Sequence, residues 1–367
     1  MDEQEKQNAL RLISTPNIGP VTYSLLIASY KTATQAIAQA PLLANRQGRK
    51  LAIAPRTVAD KIMQDTAKAG ATLLIKGDET YPHRLARFDD APAVLFAKGH
   101  LSLLKKDTVA IVGARNASTN AIRMTAQWAA DIGAADMVIL SGLARGIDRA
   151  AHVGSLKTGT IGVIGCGIDL IYPQENEDLY QEMVQSGLIL TEFVPGTKPS
   201  PRNFPSRNRI IASLAKGTIV VEAAMRSGSL ITAKEANERG GEVMAIPGAP
   251  SDPRAHGTNQ LIKDGAHLVS SPQDVLDIML SISLSEPSLF PPPLQTQILD
   301  DIDDETVAKL ANEIMNILTF EAADIDELTR QCHVSAKVIQ IALLELELAG
   351  HVQRLSGNRI CKLLNYD

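Results

Sequence analysis

The stretch VAIVGARNASTNAIRMTAQWAADIGAADMVILSGLARGID, residues 109–148, decides the fold of this chain. Its pattern predicts a strand at 109–112, a glycine turn, a helix at 121–132, a strand at 137–140 and a second glycine turn. Within these two strands apolar residues do not alternate with polar ones, which is typical of strands buried on both faces of a parallel sheet. The stretch therefore predicts two parallel strands joined by a right-handed helical crossover.

The same alternation continues on both sides of this stretch. Further strands are predicted at 71–75, 94–97, 160–164, 188–191, 217–221, 242–246 and 267–269, and helices at 148–156, 176–185, 207–214 and 230–239. Residues 71–281 are thus expected to form an α/β domain, a Rossmann-like, mostly parallel sheet with helices on both faces. Because 367 residues exceed what one hydrophobic core usually supports, further domains are expected.

Smaller modules are predicted at both ends of the chain. Residues 1–70 predict a helical domain of the SAM or helix-hairpin-helix type, in which the turn at 15–20 either offers amides to DNA phosphates or only connects two helices. Residues 282–304 are proline-rich and then acidic, as in a linker. Residues 305–367 predict three helices and a hairpin, which is the order of a winged helix.

The last of these helices, at 335–349, corresponds to the recognition helix of a DNA-binding winged helix. It carries Lys337 against Glu345 and Glu347, and residues 281–367 hold 6 basic and 14 acidic side chains. A helix that reads a DNA groove needs positive charge to meet phosphates. Protein contact or packing against another domain is therefore expected for it.

Composition limits the classes of function that fit. A net charge of −5 and an aromatic content of 4% argue against a whole-surface grip on nucleic acid and against a broad aromatic platform. Between Glu192 and Glu222, however, there are five lysines and arginines and no acidic residue, which suits a confined anionic ligand. Three scattered cysteines, no basic leader and no run of about 18 apolar residues predict a cytoplasmic protein without membrane association.

Three glycine loops follow predicted strands, where α/β domains present ligands to helix N-termini. In the first, Gly113 allows a phosphate to approach the backbone and Arg115 can pair with its oxygens. The second carries Gly142 and Gly146, which serve either a ligand or tight packing. The third, at 224–235, opens a helix with a glycine-serine turn. None is a G-x-G-x-x-G or a P-loop, so neither a dinucleotide cofactor nor ATP hydrolysis is expected.

The basic segment PRNFPSRNRIIA, residues 201–212, adds cations and one aromatic side chain. Phe204 either stacks on a base, which is worth roughly 1–3 kcal/mol, or folds back into the core. Arg207 and Arg209 point to different sides of a predicted helix, so both are not expected to face one ligand. One of them can instead pair with Glu192 or Glu222.

Catalytic patterns are absent from the sequence. The seven histidines are scattered, and no Ser/His/Asp order, HExxH or paired cysteine occurs. A non-catalytic binding protein without metal or cofactor is therefore expected.

Five blocks resemble the DNA-processing protein A (DprA/Smf) family in sequence, order and spacing. They are VAIVGAR (109–115), SGLARGID (141–148), NFPSRNRIIA (203–212), EAAMRSGSLITA (222–233) and AIPG (245–248). The resemblance covers about residues 70–280 and implies binding of single-stranded DNA without strong sequence preference. It further implies a homodimer that protects incoming strands in natural transformation and promotes loading of the RecA recombinase.

The resemblance also implies a binding pocket. Some members of the family place a lysine three residues before the phenylalanine, where this chain has Pro201 with Arg202 beside it. Together, the loops, the basic segment and the resemblance give these expected DNA-binding residues: Gly113, Arg115, Ser141, Gly142, Arg145, Gly146, Arg202, Phe204, Arg207, Asn208, Arg209, Gly228 and Ser229.

Two alternatives remain on the same fold. Nucleoside-monophosphate phosphoribohydrolases of this superfamily use a PGGxGTxxE loop, and alignment on Gly228 keeps Thr232 and Glu235. Ser229 and Ile231 replace two glycines of that loop, which counts against the same catalytic pocket. The other alternative is a sensor of a small nucleotide.

Overall fold

The computed structural model describes residues 1–285, 304–355 and 357–363, so most of the predicted linker at 282–304 lies outside the described residues. The chain forms two compact units. One contains residues 1–63 and 89–93 with the described residues from 304 onward, and the other contains residues 64–88 and 94–285. Both ends of the chain thus belong to the same unit.

The larger unit is built on a nine-stranded sheet. Its strands are β1 (Thr72–Ile75), β2 (Val94–Gly99), β3 (Thr108–Gly113), β4 (Val138–Ser141), β5 (Thr160–Val163), β6 (Leu188–Thr191), β7 (Gly217–Val221), β8 (Glu242–Ala245) and β9 (His267–Leu268). Their order in the sheet is β1-β2-β6-β5-β4-β3-β7-β8-β9. The seven strands from β6 to β9 are parallel, whereas β1 pairs antiparallel with β2 and β2 antiparallel with β6. The predicted fold class is confirmed.

Helices follow most of these strands. Helix α4 (Arg56–Lys68) precedes β1, and its residues are divided between the two units. The others are, in chain order, α5 (His83–Ala86), α6 (Thr119–Ala134), α7 (Ile147–Ser155), α8 (Glu177–Ser186), α9 (Asn203–Leu214), α10 (Gly228–Glu238), α11 (His256–Lys263) and α12 (Pro272–Ser285). Ser118 caps α6 by accepting a hydrogen bond from the amide of Ala121. Helices α5 and α11 are short and largely polar, and they were not predicted.

The core of this unit lies where α6 and α7 cover β3, β4 and β7. Val109, Ile111 and Ile219 are almost wholly buried, and Trp128 of α6 packs in the same cluster. After β3 the chain builds β4, β5 and β6 on one side and then returns to place β7 on the other. Ligands of open α/β sheets bind at such a switch point, outside the carboxyl ends of the strands.

The smaller unit joins the two ends of the chain. Its N-terminal helices are α1 (Glu3–Ile13), α2 (Pro20–Tyr30) and α3 (Ala33–Arg46), and its C-terminal elements are α13 (Asp304–Ile317), β10 (Ala323–Asp324), α14 (Ile325–Gln331), α15 (Ala336–Leu348), β11 (Val352–Leu355) and β12 (Arg359–Lys362). Helix α15 contacts both α2 and α3. The prediction that this helix packs against another domain is confirmed. Among the described residues, no helix is long and apolar enough to cross a bilayer.

Candidate nucleic-acid interface

The three predicted glycine loops meet at the carboxyl edge of the sheet. The first follows β3, the second follows β4, and the third follows β7 and leads into α10. Glu222, the first residue after β7, ties two of them together, because its carboxylate accepts hydrogen bonds from the amide (2.8 Å) and the hydroxyl (2.6 Å) of Ser118. The first and third loops are therefore held in a fixed relation.

Phe204 lies at this edge beside a cation and a second aromatic ring. The guanidinium carbon of Arg115 is 5.4 Å from the centroid of the Phe204 ring, within cation–π range. The ring of Tyr172 is 5.8 Å from it, tilted by 32°. Phe204 also approaches Gly165, where an added Cβ would come within 3.1 Å of the ring. Phe204 is half-buried, so the structure places it at the surface rather than in the core.

Tyr172 was missed by sequence reasoning. It lies in the loop between β5 and α8, outside every glycine loop and outside the basic segment, and 44% of it is exposed. An isolated tyrosine in a loop carries no sequence signal for a ligand. Only the fold brings it next to Phe204.

The start of α9 differs from the prediction. The helix was expected from Arg207 but begins at Asn203, so Phe204 and Pro205 belong to its first turn. Proline is tolerated there because the first amides of a helix have no partner within it. The Asn203 side chain donates to the carbonyl oxygen of Gly165 at 2.9 Å, which ties the start of α9 to the end of β5.

The predicted arginines fall into two groups. Arg115, Arg145 and Arg202 are exposed, and Arg145 has only a long ion pair, 3.7 Å, with exposed Glu175. Arg207 is 5% exposed, and its Nη1 donates to the carbonyl oxygen of Val163 at 3.0 Å. Arg209 pairs with Glu192, one of the two partners the sequence suggested. Arg207 and Arg209 therefore bind other groups of the protein at this edge, whereas the first three arginines are exposed to solvent.

The buried side chain of Arg207 explains why residue 142 is a glycine. A Cβ on Gly142 would lie 1.5 Å from Nη1 of Arg207, so only glycine leaves space for the buried guanidinium. Asp148 is buried nearby, and its carboxylate accepts a hydrogen bond from the amide of Ala144. Burial raises the pKa of Asp148, and the positive charge of Arg207 opposes that rise. The packing alternative is thus supported for Gly142.

Gly113 and Gly146 also serve packing. A Cβ on Gly113 would come within 1.9 Å of the carbonyl oxygen of Val221, on the neighbouring strand. Gly146 has a positive φ of 75°, and its Cβ would come within 2.3 Å of the carbonyl oxygen of Ala114. Packing therefore explains Gly113 without a ligand, because the protein's own backbone takes up the space beside it, and contact of Gly113 with a phosphate stays a prediction.

The remaining predicted residues hold the loops in place. Ser141 is buried and donates to the carbonyl oxygen of Ile111 at 2.6 Å. Asn208 donates to the carbonyl oxygen of Gly228 at 3.5 Å, and the Ser229 hydroxyl lies 2.5 Å from that of Ser227. Gly228 itself is exposed, and an added Cβ there would meet nothing within 4 Å. Among the described residues no side chain caps α10, so the first amides of this helix have no capping side chain as a partner.

His152 lies under the second loop as a buried neutral imidazole. The Thr160 hydroxyl donates to the carbonyl oxygen of Ile139, so its oxygen accepts from Nδ1 of His152 at 2.7 Å, which places the proton on Nδ1. Among the described residues Nε2 has no hydrogen-bond partner. Burial, assisted by the charge of Arg207, lowers the pKa of His152 from 6.5 to about 3.

Acidification is therefore expected to destabilise the larger unit through His152. Because its folded pKa is depressed, the unfolded chain takes up a proton below pH 6.5 while the folded chain does not. The resulting stability is present above that pH and is lost as the pH falls. Between pH 7 and pH 5 the loss is about 2 kcal/mol in the free energy of unfolding. Urea unfolding followed by Trp128 fluorescence measures it.

The matched control for this prediction is His152→Gln, which keeps a polar group but cannot titrate. The difference in unfolding free energy between wild type and variant should shrink as the pH falls from 7 to 5. The raised pKa of Asp148 acts in the opposite direction but is common to both proteins, so it cancels in the difference. A difference that stays constant over this range would contradict the prediction.

Exposed cations and two aromatic rings thus lie at the carboxyl edge of the sheet of an α/β protein. Comparisons with known proteins identify the family. Models described as "DNA recombination-mediator protein A", "DprA winged helix domain" and "DprA-like N-terminal HHH domain" match residues 72–280, 292–358 and 3–64. This chain belongs to the DprA/Smf family. The description of the third model agrees with the helix-hairpin-helix alternative for the N-terminal turn.

Individual relatives give the same result. The DNA processing protein DprA of Streptococcus pneumoniae is 47% identical over 201 residues, which cover 54% of this chain and 71% of that protein. Protein Smf of Escherichia coli is 33% identical over 318 residues, which cover 86% of this chain and 84% of that protein.

Two solved structures are similar as well. The X-ray structure of the S. pneumoniae protein matches with a TM-score of 0.57 and 36% identity, covering 70% of this chain and 95% of that one. DNA processing protein A from Helicobacter pylori matches with a TM-score of 0.54 and 29% identity, covering 58% of this chain and 96% of that one. The latter structure is described as giving insight into that protein's unique single-stranded DNA binding mode.

Proposed function

We propose that this protein binds single-stranded DNA along the carboxyl edge of its sheet. The observation that carries the proposal is the position of Arg115 over the ring of Phe204, with Tyr172 beside it. A single strand offers both a phosphate backbone and unstacked bases, and this cluster has a group for each. Arginine pairs with phosphate oxygens, and the aromatic rings stack on bases.

The exposed arginines extend the surface on both sides of that cluster. Arg145 follows β4 and Arg202 precedes α9, so each approaches the edge from a different loop. The first amides of α10, which begins at Gly228, add donors for a further phosphate. Phosphates and ring faces are common to all nucleotides, so binding without strong sequence preference is expected.

Binding of a labelled 20-nucleotide oligothymidine is expected at micromolar or lower concentration, with a marked salt dependence. If Arg115, Arg145 and Arg202 each neutralise one phosphate, the slope of log affinity against log salt is about −2, because single strands give about −0.7 per contact. Affinity should thus fall about 100-fold between about 50 and 500 mM salt. Fluorescence anisotropy at several salt concentrations measures this slope.

A 20-base-pair duplex is the control ligand in that titration. It offers phosphates but keeps its bases stacked, so it should bind more weakly than the single strand. Equal affinity for both, or affinity that does not depend on salt, would sink the proposal. Tyr172→Ala should weaken single-strand binding more than Tyr172→Phe does, because only alanine removes the ring. This comparison tests whether Tyr172 stacks on a base.

Two further proposals come from membership of the family. One is that the bound strand is protected in natural transformation and passed to RecA; the rate at which RecA assembles on single-stranded DNA should rise when the protein is added. The other is a homodimer, tested by sedimentation equilibrium against the chain mass of 39.3 kDa. An unchanged rate of RecA assembly would contradict the first proposal. A monomer at micromolar concentration would contradict the second.

We also propose that the protein acts by binding rather than by catalysis. Burial raises the pKa of the Cys166 thiol to about 11, so it is not a thiolate near neutral pH. Glu235, the glutamate of the T-x-x-E pattern, is paired with Arg239 at 3.1 Å on the same helix. Release of free base from nucleoside monophosphates would instead favour the phosphoribohydrolase alternative, and tight binding of one mononucleotide over oligomers would favour a sensor.

A further inference from the structure

Two carboxylates are buried where α15 meets the N-terminal helices. Glu345 is 1% exposed and accepts hydrogen bonds from Nη1 of Arg46 (3.1 Å) and Nε2 of Gln47 (2.8 Å). Glu347 is 7% exposed and accepts from the Thr22 hydroxyl (2.5 Å) and from Nε of Arg354 (3.1 Å). Residues almost 300 positions apart in the chain are thus joined through negative charges on α15.

Such a contact is not the one that maximises stability. Removing a carboxylate from water costs several kcal/mol, and well-packed apolar side chains in its place are often as stable or more so. Leu344 and Leu348 are buried on the same helix, so an apolar contact is available to this sequence. The two glutamates therefore call for a reason other than permanent packing.

The groups that hold these carboxylates are the ones proteins use to hold phosphate. A guanidinium, a side-chain amide and a hydroxyl all donate to phosphate oxygens as they do to carboxylate oxygens. Thr22 lies in the first turn of α2, whose N-terminus has Gly19 as its cap and no capping side chain. The positive end of that helix dipole favours an anion.

The turn before α2 touches the same contact on one side, although Pro16 and Asn17 at its tip are exposed. Asn17, at the middle of the turn, has a left-handed φ of 66°. A Cβ on Gly350, just after α15, would come within 2.8 Å of the Asn17 side-chain nitrogen. The C-terminal end of α15 thus lies against the turn that a helix-hairpin-helix module presents to a nucleic-acid backbone.

The two sides of this contact, the N-terminal and the C-terminal segments, also differ in charge. Residues 1–70 contain nine lysines and arginines and five acidic residues, whereas residues 304–363 contain six and nine. Arg49 and Lys50 come three and four residues after Arg46, the last residue of α3, and both are exposed. The N-terminal side of the contact is basic and the C-terminal side is acidic, as for a polyanion-binding surface and its cover.

We propose that the hairpin face, defined as residues 15–19 with Thr22, Arg46 and Gln47, is a second binding site for the phosphate backbone of nucleic acid. In this structure α15 covers part of it, and Glu345 and Glu347 accept the hydrogen bonds of Thr22, Arg46 and Gln47 that phosphates would accept. The helix that resembles a recognition helix thus acts as a cover and not as a reader of DNA. None of its residues belongs to the carboxyl edge of the sheet, and the proposal does not depend on the function proposed there.

The test uses the full chain carrying Arg115→Ala, so that the edge of the sheet contributes little. Glu345→Gln and Glu347→Gln are added together, because glutamine keeps the shape of glutamate and removes its charge. Binding of a labelled 20-base-pair duplex and of a 20-nucleotide single strand, measured by fluorescence anisotropy, is expected to strengthen at least tenfold for one or both. The two ligands show which form of nucleic acid the hairpin face prefers.

The matched control is Asp326→Asn with Glu327→Gln, which removes the same charge from exposed positions on α14. The gain should exceed that of the control and should disappear when Arg46→Ala is added. A second pair, Glu345→Lys with Glu347→Lys, places like charges opposite Arg46 and forces the contact open; Asp326→Lys with Glu327→Lys is its control. If both α15 pairs bind no better than their controls, or if the gain survives Arg46→Ala, the proposal is overturned. Neither result bears on single-strand binding by the wild-type protein.

Discussion

Replacement of Arg115 by alanine is expected to weaken single-stranded DNA binding by about 10- to 150-fold. A hydrogen bond to a charged group contributes about 1.5–3 kcal/mol, and each 1.4 kcal/mol is a factor of ten in affinity. Arg115 is exposed at the end of β3, and its guanidinium also lies over the Phe204 ring. The substitution therefore removes both the phosphate contact and the cation that orients the ring. Anisotropy with oligothymidine at low salt gives the affinity.

Arg330→Ala is the control for Arg115→Ala. Arg330 is exposed on α14 of the smaller unit and pairs with Glu327, so its loss changes net charge by the same amount outside the larger unit. Its affinity should stay close to that of the wild type. An Arg115→Ala protein that is folded and binds as tightly as Arg330→Ala would remove Arg115 from the interface.

Gly142→Ala is expected to lower the free energy of unfolding of the larger unit by about 3 kcal/mol or more. The new methyl group would lie 1.5 Å from Nη1 of Arg207, so the guanidinium has to leave its position. That movement breaks the hydrogen bond to the Val163 carbonyl and takes a buried positive charge away from Asp148. Loss of one partner of a buried charge pair costs about 3–5 kcal/mol. Trp128, the single tryptophan, lies in the core of this unit and reports its unfolding in urea.

Gly228→Ala is the matched glycine substitution. An added Cβ at Gly228 meets nothing within 4 Å, so its unfolding free energy should stay within about 1 kcal/mol of the wild type. In an Arg207→Ala background the cost of Gly142→Ala should shrink, because the clashing group is absent. Equal losses for the two glycine variants, or full additivity with Arg207→Ala, would refute the packing explanation.

The sheet could be predicted from sequence because the composition of each strand indicates whether its two faces are buried. Runs such as residues 109–112 and 217–221 are apolar on both faces, and their bounds in the structure differ by one residue at most. The direction of β1 and β2 could not be predicted in the same way, because a strand's composition does not identify its neighbour. The antiparallel pairing of β2 with β6 depends on where the chain re-enters the sheet.

The sequence predicted which residues lie near the candidate site, but not what each of them contacts there. Arg115 and Phe204 were expected at the interface, and they lie together at the surface. Gly113 was expected to face a ligand, but the closeness of Val221 on the neighbouring strand is not visible in sequence. Tyr172 could not be found, because its loop and the first turn of α9, which carries Phe204, are brought together only by the fold.

The meeting of the two chain ends has a consequence for synthesis on the ribosome. Helices α2 and α3 emerge first, yet α15, which buries part of their surface, emerges about 300 residues later. At typical elongation rates this delay is roughly 15–60 s, longer than most small domains need to fold. The inserted α/β unit is thus complete while the N-terminal helices still await their partner. A nascent chain halted before residue 336 would leave Thr22 and Gln47 of the hairpin face without the two glutamates, whereas the released protein would not.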